Sequence, residues 1–203
     1  MTTTLVIETA TAACSVALLD GDRVVTARHE LVGRGHAERL VPMIGEILAE
    51  AGQNRAELIQ VDCGPGSFTG IRVGIAAARG LALAWGVPVA GFSALALIAV
   101  TAREDVGVAI TGGHGELFVQ RFTHAPFAAL DALRSLRPEA AAHVVPNDLV
   151  LGSGAEALVA ARGTGRAEAG FPNAADVRFL PAELTGLPPT PLYGRAPDAK
   201  IPQ

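Results

Sequence analysis

Residues 61–74 read VDCGPGSFTGIRVG: an apolar run, then four glycines and a proline, then the start of a helical pattern. Glycine-rich turns that lead from a strand into a helix often hold phosphate, because unpaired backbone N–H groups collect at the helix start. A loop of the G-x-x-x-x-G-K-[ST] kind needs a lysine to reach the outer phosphates, and this stretch has none. A dinucleotide fingerprint needs G-x-G-x-x-G, whereas Gly64-Pro65-Gly66-Ser67-Phe68-Thr69-Gly70 is one residue too long. Pro65 also removes an N–H that an anion would use. Gly64, Gly66, Ser67 and Thr69 therefore make a candidate anion site only through the helix-start N–H groups, with Ser67 or Thr69 as cap. The other reading is a tight strand-to-helix turn whose glycines let backbones approach closely.

The helix that follows, to about Trp85, has Arg72 and Arg79 as its only charges. They are seven apart and share one narrow side. A helix apolar nearly all round has to be covered nearly all round. Gly70, Gly74, Ala77, Leu81 and Ala84 form a stripe of mostly small side chains. Ile71, Ile75, Ala78, Ala82 and Trp85 form a bulkier one suited to a sheet. The small stripe invites another helix, either residues 36–52 of this chain or one from a partner.

Upstream, TLVIE (4–8), CSVALLD (14–20) and RVVTARHE (23–30) read as three strands, with Asp20-Gly21-Asp22 as a hairpin turn. HAERLVPMIGEILAEAG (36–52) reads as a helix with Leu40, Ile44, Ile47, Leu48 and Ala51 on one face and Gly52 as terminator. Pro42 predicts a bend in its first turns or a late start. LIQVDC (58–63) is the next strand and VPVAGF (87–92) another, with a helix from Ser93. The uncharged run 80–102 is long enough to span a bilayer, but Pro88 and Gly91 break it into helix, strand and helix.

The pattern then restarts. VGVAIT (106–111), the turn GGHG and ELFVQRF (116–122) form a second hairpin, FAALDALRSL (127–136) reads as a helix, DLVLGSG (148–154) as a strand and AEALVAARG as a helix. The proline-rich remainder predicts an extended tail on the surface. A hairpin-led sheet with helices, repeated in shorter form, is a duplicated α/β lobe. Residues 1–103 form the N-terminal lobe and 104–203 the shorter C-terminal one with its tail.

Half of the 203 residues are apolar, 18% are charged and 4% aromatic, which is a globular chain with a close-packed core of small side chains. The net charge is −4, with Lys200 the single lysine and the arginines scattered. That balance argues against unaided binding of nucleic acid. Cys14 and Cys63 sit in strand-like runs and read as buried thiols in a reducing cytosol. The N-terminus has no basic, signal-like segment. None of His29, His36, His114, His124 and His143 has metal-site spacing, and no Gly-x-Ser-x-Gly elbow is present. Glu8 and Asp62, each ending a strand, are carboxylates where an actin-like ATPase would position magnesium and phosphate, or simply strand ends.

Taken together, LVIETATAACSVALLD, GRGHAERLVPMIGEILAEAG, GPGSFTGIRVGIAAARGLALAWGVPVAGFSAL and PLYGRAPDAK resemble the TsaB (YeaZ) family over the first hundred residues and the tail. The resemblance implies an actin/Hsp70-like (ASKHA) α/β fold of duplicated lobes, the second shortened. It implies a non-catalytic relative of TsaD, the subunit that threonylcarbamoylates tRNA, lacking TsaD's HxxxH and needing no cofactor. Its partners would be a TsaD-like catalytic subunit and a TsaE-like ATPase, with a homodimer when isolated, tRNA only through the complex, and no membrane. It places a two-plus-two helix interface on His36, Leu40, Val41, Ile44 and Leu48, and on Gly70, Arg72, Val73, Gly74, Ala77, Leu81 and Ala84. The chain departs from the family pattern at Glu8-Thr9-Ala10, Thr111-Gly112-Gly113 and Tyr193-Gly194-Arg195. The rival class is an enzyme acting alone, an actin-like ATPase or a glycopeptidase, for which Glu8 and GSGA (152–155) are poor ligands. A simple homodimer is a third reading.

Overall fold

The computed structural model describes residues 2–194. β1 (Thr3–Glu8), β2 (Ala13–Asp20) and β3 (Arg23–Leu31) form an antiparallel meander. The chain then crosses by α1 (His36–Glu50) to β4 (Leu58–Asp62), which pairs parallel to β1, and by α2 (Phe68–Trp85) to β5 (Val89–Phe92), parallel to β4. The sheet order is β3-β2-β1-β4-β5. α3 (Ala94–Ala99), buried along its whole length, leads into the second sheet.

There the plan repeats. β6 (Val106–Thr111), β7 (Leu117–Thr123) and β8 (Ala128–Ala129) form the meander, and β9 (Arg134–Leu136) adds to β7. α4 (Pro138–Val144) leads to β10 (Leu149–Leu151), parallel to β6, and α5 (Ala155–Arg162) to β11 (Arg166–Glu168), parallel to β10. The order β11-β10-β6-β7-β8 is the first sheet's order again. This is the duplicated actin/Hsp70-like fold, and the second copy is the shorter. Its crossover helices have 7 and 8 residues where the first has 15 and 18.

β2 and the last four residues of β1 are buried on both faces because both faces of the sheet are covered there. Seven of the eight residues of β2 are buried, with α1 packed against the strand. The sheet is also contacted by a short 3-10 segment, Ala174–Phe179, whose Ala174 and Val177 are buried and whose Ala174 N–H donates to Ser15 Oγ at 3.0 Å. The proline-rich tail is therefore only partly a surface element. Farther on it pairs with the β5 edge, where Leu187 and Gly91 exchange backbone hydrogen bonds of 2.6 and 3.0 Å. Residues 195–203, including Arg195 of the tail motif, lie outside the described residues.

Two local expectations need correction. Residues 127–136 are two short strands and not a helix, for reasons taken up in the Discussion. Helix α1 starts at His36 and runs through Pro42, so the proline does not delay its start. Both cysteines are free and buried, and burial pushes the Cys14 thiol up to about 11 and the Cys63 thiol up to about 12. No helix among the described residues is long and apolar enough to cross a membrane.

Candidate functional site: an open helical face beside a glycine-packed turn

The glycine loop is consumed by contacts within its own lobe. The Gly64 N–H donates to Asp62 Oδ1 at 2.6 Å and the Ser67 N–H to the Ala10 carbonyl at 2.6 Å. Ser67 is the cap of α2, its Oγ accepting from the Gly70 N–H at 3.2 Å, while Thr69 is exposed. A methyl group at Gly66 would sit 1.9 Å from the Ala10 carbonyl oxygen, and one at Gly70 2.0 Å from that of Thr9. At Gly74 it would sit 2.4 Å from Thr9 Oγ1. Thr9 Oγ1 in turn donates to the Gly70 carbonyl at 2.8 Å. So the glycines at 66, 70 and 74 let the loop and the first turns of α2 lie directly on the β1–β2 turn. The expectation that Gly70 and Gly74 await another helix is overturned, because the turn already fills that space.

The remaining predicted interface residues divide sharply. His36, Leu40, Ile44 and Leu48 are buried in this chain's own core, and His36 Nε2 lies 2.9 Å from the Ala13 carbonyl. Val41 is 61% exposed. Arg72 and Ala84 are exposed, and Val73, Ala77 and Leu81 are half-buried. The bulkier stripe does face inward, with Ile71, Ile75, Ala78 and Ala82 all buried.

What the two packed helices leave open is a second set of positions. On α1 the exposed residues Ala37, Val41, Gly45 and Ala49 recur every fourth position. On α2, Thr69, Ala76, Gly80, Leu83 and Ala84 are exposed, and Leu83 is the most exposed large apolar side chain described, at 87%. Most of the charged groups are drawn to the flanks. Arg39 pairs with Glu30 of β3 and with Glu46, Arg28 of β3 pairs with Glu50, and the guanidinium of Arg39 holds both Glu30 and Glu46 below the usual carboxylate range. On α2, Arg72 Nε donates to the Tyr193 hydroxyl at 3.1 Å and Arg79 Nη2 to the Pro189 carbonyl at 2.8 Å, so the tail takes up its cationic flank.

Gly45 and Gly80 are the glycines among these open positions. A methyl group at either would meet nothing within 4 Å. A mid-helix glycine destabilises by roughly 0.5–1 kcal/mol relative to alanine. Nothing among the described residues requires either glycine to be so small. Sequence reasoning missed both, since its small-residue stripe took in Gly70 and Gly74 but neither Gly80 nor Gly45.

Glu8 and Asp62 are completely buried. Glu8 Oε1 accepts from the Ala10 N–H at 2.8 Å, and the second oxygens of the two side chains have no partner. Burial pushes both carboxyls well above the usual range, and for Glu8 the neighbouring Asp62 adds to the effect. Both are held toward the neutral acid. Among the described residues no group of three or more His, Cys, Asp or Glu side chains is placed to hold a metal ion. A cleft of about 1020 Å³ opens between the sheets, and neither carboxyl lines it.

The family model for TsaD, tRNA N6-adenosine threonylcarbamoyltransferase, matches residues 24–128, just over half of the chain. The chain is 41% identical, over 56% of its length and 52% of the relative's, to the tRNA threonylcarbamoyladenosine biosynthesis protein TsaB of Escherichia coli. The matched stretch thus spans about half the length of that relative. An uncharacterized protein of Mycobacterium tuberculosis is 34% identical over 98% of this chain and 95% of its own. Among solved structures, YeaZ from Pseudomonas aeruginosa superposes with a TM-score of 0.80 at 31% identity, covering 95% of this chain and all of that one.

Proposed function

The chain belongs to the TsaB (YeaZ) family, and on that footing we propose that it acts in tRNA threonylcarbamoyladenosine biosynthesis as a non-catalytic subunit that binds and stabilises a TsaD-like catalytic partner. The carrying observation is the pair of open glycines, Gly45 in α1 and Gly80 in α2, both exposed with nothing described within reach of an added methyl group. Small residues at a helix surface let a second helix approach closely. Two helices side by side fit two from a partner, in a four-helix contact centred on Val41 and Leu83. The buried members of the predicted interface, His36, Leu40, Ile44, Leu48, Gly70 and Gly74, act indirectly by setting the spacing of the two helices. Arg72, Val73, Ala77, Leu81 and Ala84 border the contact. A TsaE-like ATPase and tRNA would join through the catalytic partner.

The carboxyls where an actin-like ATPase would hold magnesium are buried, neutral-leaning and turned to backbone N–H groups.

The test is co-expression with a TsaD-type subunit. The double variant Val41→Glu, Leu83→Glu should fold normally and lose co-purification. If it still co-purified in full, the proposed face would be wrong. If the complex were lost and the isolated chain nevertheless modified tRNA alone, the non-catalytic role would be wrong.

A further inference from the structure

We propose that residues 187–193 of the tail are a strap that sets the position of the second half of α2, with Arg79 and Arg72 as its positioning residues. Through the helix the strap sets the face offered to a TsaD-like partner, a role that rests on the proposed function.

The two halves of α2 are held differently. Its start is pinned on the β1–β2 turn, where Gly70 and Gly74 meet Thr9. Beyond Ile75 its buried residues are two alanines, Ala78 and Ala82, with Ala77, Leu81 and Trp85 half-buried. Alanine methyls bury little apolar area, so the core grips this half weakly. The open positions Gly80 and Leu83 stand on it.

The tail supplies a second grip. Arg72 and Arg79 are the charges of α2, and both turn to one short stretch of tail. Arg79 Nη2 donates to the Pro189 carbonyl at 2.8 Å and Arg72 Nε to the Tyr193 hydroxyl at 3.1 Å. Tyr193 also stacks on Phe68, with ring centroids 5.7 Å apart. Seven residues of helix rise about 10.5 Å, and four residues of extended chain reach roughly 13–14 Å. The tail therefore runs antiparallel to α2 with one rung at each end of that span.

The strap's other side is seated on the first sheet. Leu187 pairs with Gly91 at the β5 edge, and the Leu192 N–H donates to the Cys63 carbonyl at 2.7 Å. Two glycines make room for it. A methyl group at Gly91 would lie 2.5 Å from Cys63 Sγ and 3.0 Å from the Pro188 carbonyl oxygen. One at Gly64 would lie 3.2 Å from the Leu192 carbonyl oxygen. A segment bound to the sheet on one side and to α2 on the other fixes the distance between them. The Arg79 rung stands next to Gly80 and one turn before Leu83, so it acts on the proposed contact through the helix.

Trp85, the single tryptophan, ends α2 and reports how the helix is seated. The test reads its emission on the isolated native chain, beside calorimetric titration of a TsaD-type subunit. The double variant Arg72→Met, Arg79→Met keeps the apolar stems and removes the donors. It should shift the emission and weaken binding about tenfold. Arg72→Lys with Arg79→Lys, which keeps a donor at each place, should restore most of both. Gly91→Val crowds the strap from the β5 side and should reproduce the methionine variant, with little added when the two are combined. Where Gly91→Val does not fold, the methionine and lysine pair decides. Val41→Glu, on α1, should weaken binding and leave the emission unchanged. A parent chain that fails to bind the subunit would sink the proposed function, while the emission still judges the strap. The strap is overturned by an unchanged emission in the methionine variant, by a shifted emission with undiminished affinity, or by a lysine variant that restores neither.

Discussion

Two ends of one helix carry glycines that look alike in the sequence and do opposite things. At the start of α2, Gly70 and Gly74 are pressed against Thr9, where even a methyl group would collide. Toward its end, Gly80 faces open space, as Gly45 does on the neighbouring α1. The first pair is explained by the chain itself. The second pair meets no atom among the described residues, so no described contact accounts for it. A small-residue stripe in a sequence thus tells that a close approach occurs without telling whose atoms approach.

The comparison is broken most violently from the filled end. Gly70→Val should destabilise the fold by about 3 kcal/mol or more, because its Cβ would have to displace the Thr9 backbone. Urea denaturation would show it as a large drop in midpoint. A Gly70→Val chain as stable as the parent would mean that the turn and the helix are not packed as described.

At the open end the effect should appear in binding and not in folding. Leu83→Glu should leave the isolated chain within about 0.5 kcal/mol of the parent. It should weaken association with a TsaD-type subunit by about 2 kcal/mol, a hot-spot-sized loss. Titration calorimetry and thermal denaturation, read side by side, distinguish the two.

A smaller effect is expected beneath the filled end, from Glu8 and Asp62. Their folded pKa values are raised above those of the unfolded chain, so the fold favours the neutral acids. The stability they contribute is fully present below the unfolded pKa of about 4 and is lost as pH rises through the raised folded values. Glu8→Gln should flatten that decline in a series of denaturation curves from acid to alkaline pH. An unchanged slope would show that Glu8 ionises freely in the folded protein.

Much of the fold was legible because its signals are local and mutually consistent. The Asp20-Gly21-Asp22 turn, the 3.6-residue periodicity of α1 and the Ser67 cap each point to the element that forms. The failure at FAALDALRSL is instructive. Alanine and leucine favour helix intrinsically, but the edge of β7 needs pairing, and tertiary contacts outweigh propensity. Asp131 fixes the turn, accepting from the Arg121 N–H at 2.9 Å and from the guanidiniums of Arg121 and Arg134, while Phe127 stacks on Phe122 at 5.6 Å. Arg121 lies ten residues from Asp131, beyond the reach of periodicity, while Arg134, three residues on, has a spacing that also suits a helix. The tail misled for a similar reason. Ala174, Val177 and Leu180 are too few to register as an amphipathic element, yet they pack against the far face of the first sheet. For the candidate site, the sequence pointed to α1 and α2 but could not separate their buried positions from their open ones. Burial against Thr9 is a long-range contact, and only coordinates separate Gly74 from Gly80.

On the proposed function, Gly45 and Gly80 are small for the sake of a partner. The most direct test is the pair Gly45→Leu and Gly80→Leu. Each should raise the stability of the isolated chain by roughly 0.5–1 kcal/mol through helix propensity. Each should also lower the affinity for a TsaD-type subunit by about tenfold or more, since the bulk falls where the partner helix lies. Variants that gain stability and bind as tightly as the parent would contradict the claim.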